Sequence, residues 1–279
     1  MSLPLFLPTA RHSFFSVATD TCRQFLSRIW SMVIGPRRQW RRFPDQFPVM
    51  APDGSYLVFE SDRAFAASGS EAKERVANLW RVDKTSSGWS APVRLPDTVN
   101  ISKRIYGHSI AANGDIYFMS TMEPRRQDPK WRLFRTARIA GGYARAEALP
   151  FSGGSTSDVD PYIAPDQSYL IFSSAKRREP IDHEHLFIVF RQGAGWGPVT
   201  PIRYQGDEQA DDDNYSDVSP DGKTLYFDST RNGKSNIWML PLAPYVSRAA
   251  LAGVANAADA VVLPAPTIFA PDVDLGTRE

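Results

Sequence analysis

Short apolar segments recur along this chain, each entered through a tight polar turn. Ala51-Pro52-Asp53-Gly54 leads to Tyr56-Leu57-Val58-Phe59, and Ala111-Ala112-Asn113-Gly114 leads to Ile116-Tyr117-Phe118. Ala164-Pro165-Asp166-Gln167 leads to Tyr169-Leu170-Ile171-Phe172, and Ser219-Pro220-Asp221-Gly222 leads to Leu225-Tyr226-Phe227. Proline presets φ in such turns, while Asp and Gly supply local hydrogen bonds and positive φ. The turns open at residues 51, 111, 164 and 219, giving spacings of 60, 53 and 55. A repeat of that length built from short strands is the signature of a propeller or a similar array.

Each copy predicts the same succession of strands. A short segment precedes the turn: Phe47-Pro48-Val49-Met50, His108-Ser109-Ile110, Pro161-Tyr162-Ile163 and Ser216-Asp217-Val218. The apolar strand follows, and after a polar connection comes a third strand, such as Asn78-Leu79-Trp80-Arg81-Val82 or Asn236-Ile237-Trp238-Met239-Leu240. Three copies add a Gly-aromatic turn and a fourth strand at Gly88–Val93, Gly142–Glu147 and Gly195–Val199. Pro92 and Pro198 suit an outer edge, where a missing N–H costs least. The second strand is apolar on both faces, as expected of a sheet covered by a neighbour on each side and not of a half-solvated one. The fold expected is all-β: a β-propeller of four-stranded antiparallel blades, four of them recognisable, with a fifth, degenerate blade or an incomplete ring left open.

The propeller is placed at 43–242, with repeats at about 43–100, 101–152, 153–206 and 207–242. Residues 1–42 hold seven arginines and one acid, Asp20, a local net charge of +6 against +1 for the whole chain. They show no clean period and stay unassigned. The fourth copy stops after its third strand. Its missing edge is expected from Gln39-Trp40-Arg41-Arg42, with Val261-Val262-Leu263 in the Ala/Pro-rich tail 243–279 as the alternative; Ser247–Ala260 can form a short helix capped by Ser247.

Hydrophobic residues at 42% and aromatics at 12% support a real core. The single cysteine, Cys22, allows no intrachain disulfide. No run of apolar residues approaches the roughly 20 needed to span a bilayer, and the N-terminus lacks the basic-then-apolar order of a secretory leader. The repeat region is net acidic, which argues against a nucleic-acid partner.

The repeated Ser/Ala-Pro-Asp-Gly-x-x-Leu-Tyr-Phe-x-Ser-x-Arg pattern resembles the WD-like β-propeller repeat of TolB-type proteins. Asn236-Ile237-Trp238 is similar to that family's Asp-Ile-Trp strand, and Gly88-Trp89-Ser90-Ala91-Pro92-Val93-Arg94-Leu95 to its Gly-Trp-x-x-Pro-x-x-Leu edge. Its acid three residues before a proline is matched by Asp45 with Pro48 and Asp158 with Pro161. Asp213 keeps the acid, while the second copy has Ile105 and His108. The resemblance implies the fold and a periplasmic or secreted location.

Candidate chemistry is sparse. Asp182-His183-Glu184-His185 is metal-like, since His183 and His185 at i, i+2 share a strand face. The acidic run Asp207, Glu208, Asp211, Asp212, Asp213 is dense enough to hold Ca2+, though its spacing is not that of an EF-hand. His183, His185, Asp211 and Asp213 are therefore the metal candidates; otherwise no cofactor is expected. No Gly-x-Ser-x-Gly elbow is present. The function expected is a non-enzymatic, monomeric scaffold binding a protein, peptide or glycan through its channel face, with Asp45, His108, Asp158 and Asp213 as ligand residues. Arg63 and Arg231 stand behind them and are expected to pair with acids of neighbouring blades. The alternatives are a polysaccharide lyase or hydrolase with metal-assisted chemistry, which needs His108 to converge with His183 or His185, and a truncated propeller fragment.

Overall fold

The computed structural model describes residues 45–63, 76–122, 130–153, 155–175, 177, 183–207, 212–246 and 262–269. The chain forms four antiparallel sheets arranged as a four-blade β-propeller. Blade 1 runs Gln46–Met50, Tyr56–Ser61, Asn78–Thr85 and Val93–Arg94; blade 2 runs Ile105–Ile110, Ile116–Ser120, Arg132–Thr136 and Glu147–Ala148. Blade 3 runs Ser157–Ile163, Tyr169–Ala175, His185–Gln192 and Thr200–Pro201. Blade 4 runs Asp213–Val218, Thr224–Ser229, Asn236–Pro241 and Thr267–Ile268. The Gly-aromatic segments Gly88–Trp89 and Gly195–Trp196 extend the third strand's hairpin, and the true edge strands lie just beyond Pro92 and Pro198.

The polar turns join the first two strands of each blade. Gly54, Gly114, Gln167 and Gly222 each donate their N–H back to the opening residue of the turn at 2.8–2.9 Å. All four sit at positive φ. Asp53 Oδ1 accepts the Ser55 N–H at 2.9 Å, and Asp166 Oδ1 accepts the Ser168 N–H at 2.9 Å. Hydrogen bonds from Ser55 hold the exposed Asp53 carboxyl below its ordinary range. The motif's aspartates are turn residues.

The two-faced second strands divide their side chains between neighbours. Val58 of blade 1 packs with Ile116 and Phe118 of blade 2. Tyr117 of blade 2 packs with Leu170 and Phe172 of blade 3, and Ile171 of blade 3 with Leu225 and Phe227 of blade 4. All nine are essentially inaccessible, and burying each Leu, Ile or Phe contributes about 1.5–3 kcal/mol. Among the described residues no fifth blade covers the far side of blade 4, and Tyr226, Asp228, Ile237 and Met239 stay half-buried. On the opposite side of blade 1, Leu57, Phe59, Trp80 and Val82 form a separate buried cluster.

The closing edge of blade 4 comes from the C-terminal side, which corrects the expectation of Gln39–Arg42. Thr267 and Ile268 pair with Met239 and Trp238, and Phe269 donates its N–H to Ile237 O at 2.9 Å. The alternative segment contributes differently: Leu263, 3% exposed, bridges Tyr204 in parallel fashion. A two-residue strand so far from its partner in sequence carries no periodic signal. Residues 39–42 and 247–260, including the candidate helix, lie outside the described residues; the short helix that is described is Ala243–Val246. Among the described residues no helix is long and apolar enough to cross a membrane.

Candidate functional site at the propeller axis

The first strand of every blade carries one extra residue. Pairing slips between Gln46 and Val49, Tyr106 and His108, Val159 and Tyr162, and Asn214 and Asp217. The residues at these bulges, Phe47, Gly107, Asp160 and Tyr215, all adopt φ between 43° and 52°. Each stands four positions before the opening of its turn, so they are equivalent in the repeat. A bulge bends its strand and re-aims a side chain. A non-glycine residue at positive φ costs of order 1–3 kcal/mol and persists where the surroundings over-determine it.

The four bulges meet. The rings of Phe47 and Tyr215 stack with centroids 6.2 Å apart and planes at 17°, joining blades 1 and 4 at the axis. Asp160 lies against blade 2 so closely that a Cβ on Gly107 would fall 2.7 Å from its Oδ1. Glycine is required there for both φ and space. Gly107→Ala is expected to destabilise the protein by about 1–3 kcal/mol, read as a lowered midpoint in urea; an unchanged midpoint would show that Asp160 is free to move.

The axis is acidic. Burial pushes the carboxyl of Asp160 well above its ordinary range, and nearby Glu184 and Glu60 push it further. Burial likewise raises Glu60 well above the ordinary value, although it faces the Gly107 N–H and the Gln46 side chain, and raises Glu184. His108 is buried beside Glu60. Its Nε2 lies 3.1 Å from Val58 O, its Nδ1 lies 3.6 Å from Glu60 Oε1, and burial lowers its pKa to about 4.

The candidate ligand residues occupy one end of the blades, but most engage each other. Asp45 pairs with Arg63 and accepts the Ser61 hydroxyl at 2.5 Å. Asp158 accepts Arg177 Nε at 2.8 Å, Arg177 Nη2 at 2.7 Å and the Ser174 hydroxyl at 2.5 Å. Asp213 pairs with Arg231 at 3.0 Å and with the Tyr204 hydroxyl. Each pair lies within one blade, which corrects the expected pairing between neighbours. Each guanidinium also lies 5.3 Å from the centre of the second strand's phenylalanine: Phe59, Phe172 or Phe227. The Phe-x-Ser-x-Arg part of the repeat, with one further residue before Arg177 in blade 3, is thus a clasp closed by the aspartate. Blade 2 lacks both partners: Ile105 replaces the acid and is fully buried, and Met122 lies where an arginine would stand. Loss of both together fits a structural pair, since an unpaired buried charge costs more than none.

The metal candidates do not gather. His183 is exposed while His185 is buried in the ladder opposite Ser174. Asp211 and Glu208 lie outside the described residues, Asp213 is clasped, and Asp212 Oδ1 accepts the Glu184 N–H at 3.0 Å. Among the described residues, no three His, Cys, Asp or Glu side chains converge as metal ligands. His108 Nε2 lies against Val58 O of blade 1, and among the described residues it joins no group of metal ligands with His183 or His185, the convergence that a lyase or hydrolase needs. Phe47, Glu60, Asp160 and Tyr215 emerge as site residues only from the structure, although Glu60 is conspicuous as a charge inside an apolar strand; Glu184, part of the metal-like string, is placed instead beside Asp160.

These features define the class: a β-propeller whose inner strands build an acidic, aromatic axis. The fold has counterparts among solved structures. The chain is similar to TolB from Acinetobacter baumannii, with 14% identity and a TM-score of 0.49 over 72% of this chain and 41% of that one. It is similar to a putative TolB from Agrobacterium tumefaciens, with 17% identity and a TM-score of 0.47 over 72% of this chain and 59% of that one. An oligogalacturonate lyase from Vibrio parahaemolyticus aligns at 13% identity and a TM-score of 0.39, over 69% and 60%. The chain therefore spans less than two thirds of each of these proteins. No protein-family model and no curated protein matches it.

Proposed function

We propose that this chain is a binding module that takes a protein, peptide or glycan on its axial face, without catalysing a reaction on it. The observation that supports this reading is the set of four in-register bulges, which turn two aromatic rings and a carboxylate toward the axis at a cost in backbone strain. Strain of this kind concentrates at ligand clamps. Phe47 and Tyr215 offer ring faces, Asp160 and Glu184 offer acceptors, and the Asp45, Asp158 and Asp213 clasps with Arg63 and Arg231 hold the rim. His108 forms the wall behind them. Rings and a few convergent polar groups are what peptide and sugar sites share.

The test is a screen of peptide and glycan arrays, followed by titration of the best ligand against variants. Tyr215→Ala and Phe47→Ala are each expected to weaken binding about tenfold or more, the cost of roughly 1.4 kcal/mol at a central contact. Ligands bound equally well by both variants would overturn the axial placement.

A further inference from the structure

Among the described residues, Glu60 and His108 are the one acid–base couple at the axis that no clasp accounts for. His108 Nε2 faces a backbone carbonyl, Val58 O, at 3.1 Å. A carbonyl only accepts, so Nε2 must carry the ring's hydrogen. In a neutral ring this leaves Nδ1 as a bare lone pair, and Nδ1 points at Glu60 Oε1 3.6 Å away. Both side chains are buried, at 0% and 1% exposure. A lone pair and a carboxylate oxygen facing each other in a dry site repel, and a single proton placed between them removes the conflict. Neither atom has a hydrogen-bond partner at this separation; we propose that Glu60 carries that proton at neutral pH, the two side chains closing from 3.6 Å so that it is donated to His108 Nδ1, and that the couple sets the charge of the axis as pH changes.

The surroundings decide which partner keeps the proton. Glu60 faces the Gly107 N–H, the Gln46 side chain and Tyr106, with Arg104 acting on Tyr106 from further out. Asp160 stands near from blade 3, with Glu184 and the Tyr215 N–H beside it. His108 has Val58 O and Glu60. Among the described residues, none of the groups acting on Glu60 or Asp160 is an arginine or lysine, so a Glu60 carboxylate would add a charge beside other acids. The neutral acid against the neutral ring avoids this, in line with the directions in which burial moves both groups.

The sign of the pH effect follows. Glu60 is neutral in the folded chain and ionised in the unfolded one above its ordinary pKa, so stability is full below that value and is lost as pH rises. Asp160 and Asp217, the latter raised to about 7 by burial, act in the same direction. His108, lowered to about 4, acts oppositely below its unfolded value. Once Glu60 ionises, its charge faces Asp160 and Glu184, and repulsion loosens the inner strands of blades 1 to 3. The consequence for ligands rests on the axial-face reading, whereas the proton's position is tested without any ligand.

Two measurements on the full chain decide the proposal. Imidazole 15N shifts at pH 7, with His108 assigned by its loss in His108→Gln, are expected to show a neutral ring protonated on Nε2 and accepting at Nδ1. An imidazolium, or the opposite tautomer, would overturn it. Between pH 5 and 6.5, the unfolding constant of wild type is expected to rise tenfold per pH unit relative to Glu60→Gln, the linkage of one proton. Parallel curves would overturn it as well. If Glu60→Gln does not fold, the wild-type 15N spectrum alone gives the answer.

Discussion

Asp158→Ala is expected to cost about 3–5 kcal/mol, the usual penalty for removing one partner of a buried pair. The carboxylate is fully buried and accepts from Ser152, Thr156, Ser174 and both donors of Arg177. Its removal takes the counter-charge from the Arg177 guanidinium, whose side chain is 16% exposed, leaving it against Phe172 with its bond to Phe151 O at 2.7 Å. At about 2–4 °C per kcal/mol for a chain of this size, Tm should drop by roughly 10 °C. Calorimetry on the variant checks this, and a drop of only one or two degrees would mean that the clasp is ornamental. Replacing Asp158 and Arg177 together by apolar residues of similar volume should recover most of the loss, because blade 2 already dispenses with the pair.

Leu263→Asp is expected to be comparably damaging. Leu263 is 3% exposed in the core between blades 3 and 4, packed with Tyr204 and Tyr245. Its N–H donates to Arg203 O at 2.9 Å, and its carbonyl accepts the Gln205 N–H at 2.8 Å. A carboxylate there loses the leucine's burial and must be desolvated or protonated, a loss of about 3 kcal/mol or more. Freeing the segment also bares the edge of Asn236–Pro241, so the variant should aggregate on heating. Val262, one residue earlier, is 62% exposed, and Val262→Asp should stay within about 0.5 kcal/mol of wild type. Equal effects from the two substitutions, measured by urea unfolding, would show that the C-terminal segment does not close blade 4 in this way.

The blades were legible in the chain because their signal is local. A tight turn carrying Asp or Asn, twice in full as Pro-Asp-Gly, precedes an apolar strand each time, and four copies fix the period. The axis was not legible, for a physical reason. A bulge is a property of how two strands pair, one residue more on the first strand than on the second, and the residues at its positive-φ position are a phenylalanine, a glycine, an aspartate and a tyrosine. No shared side chain marks the site. The clasps fall between these cases. Asp45, Asp158, Asp213, Arg63 and Arg231 could be singled out as charges at fixed places, but their choice of partner within the blade depends on the ends of the first two strands lying side by side. Glu60 could have been noticed as the one acid inside Tyr56–Ser61. Its pairing with His108 crosses from blade 1 to blade 2 and has no counterpart in the other blades, where Met119, Ser173 and Asp228 hold the equivalent position.

The strain and the acidity at the axis belong together. Three carboxyl groups, Glu60, Asp160 and Glu184, are held near one another with raised affinity for protons. A fold selected for stability alone has no need of them, as the apolar Met119 in the place of Glu60 and Phe47 in the place of Asp160 show. Their cost is of the kind proteins tolerate at functional positions.

The most direct measurement is a backbone amide NMR titration of the intact chain with the best ligand from the array screen. Shifts concentrated at Phe47, Gly107, Asp160, Glu184 and Tyr215 are the predicted result. Shifts gathered instead on the opposite end, at Asp53, Asn113, Asp166 and Asp221 of the polar turns, would contradict an axial binding face.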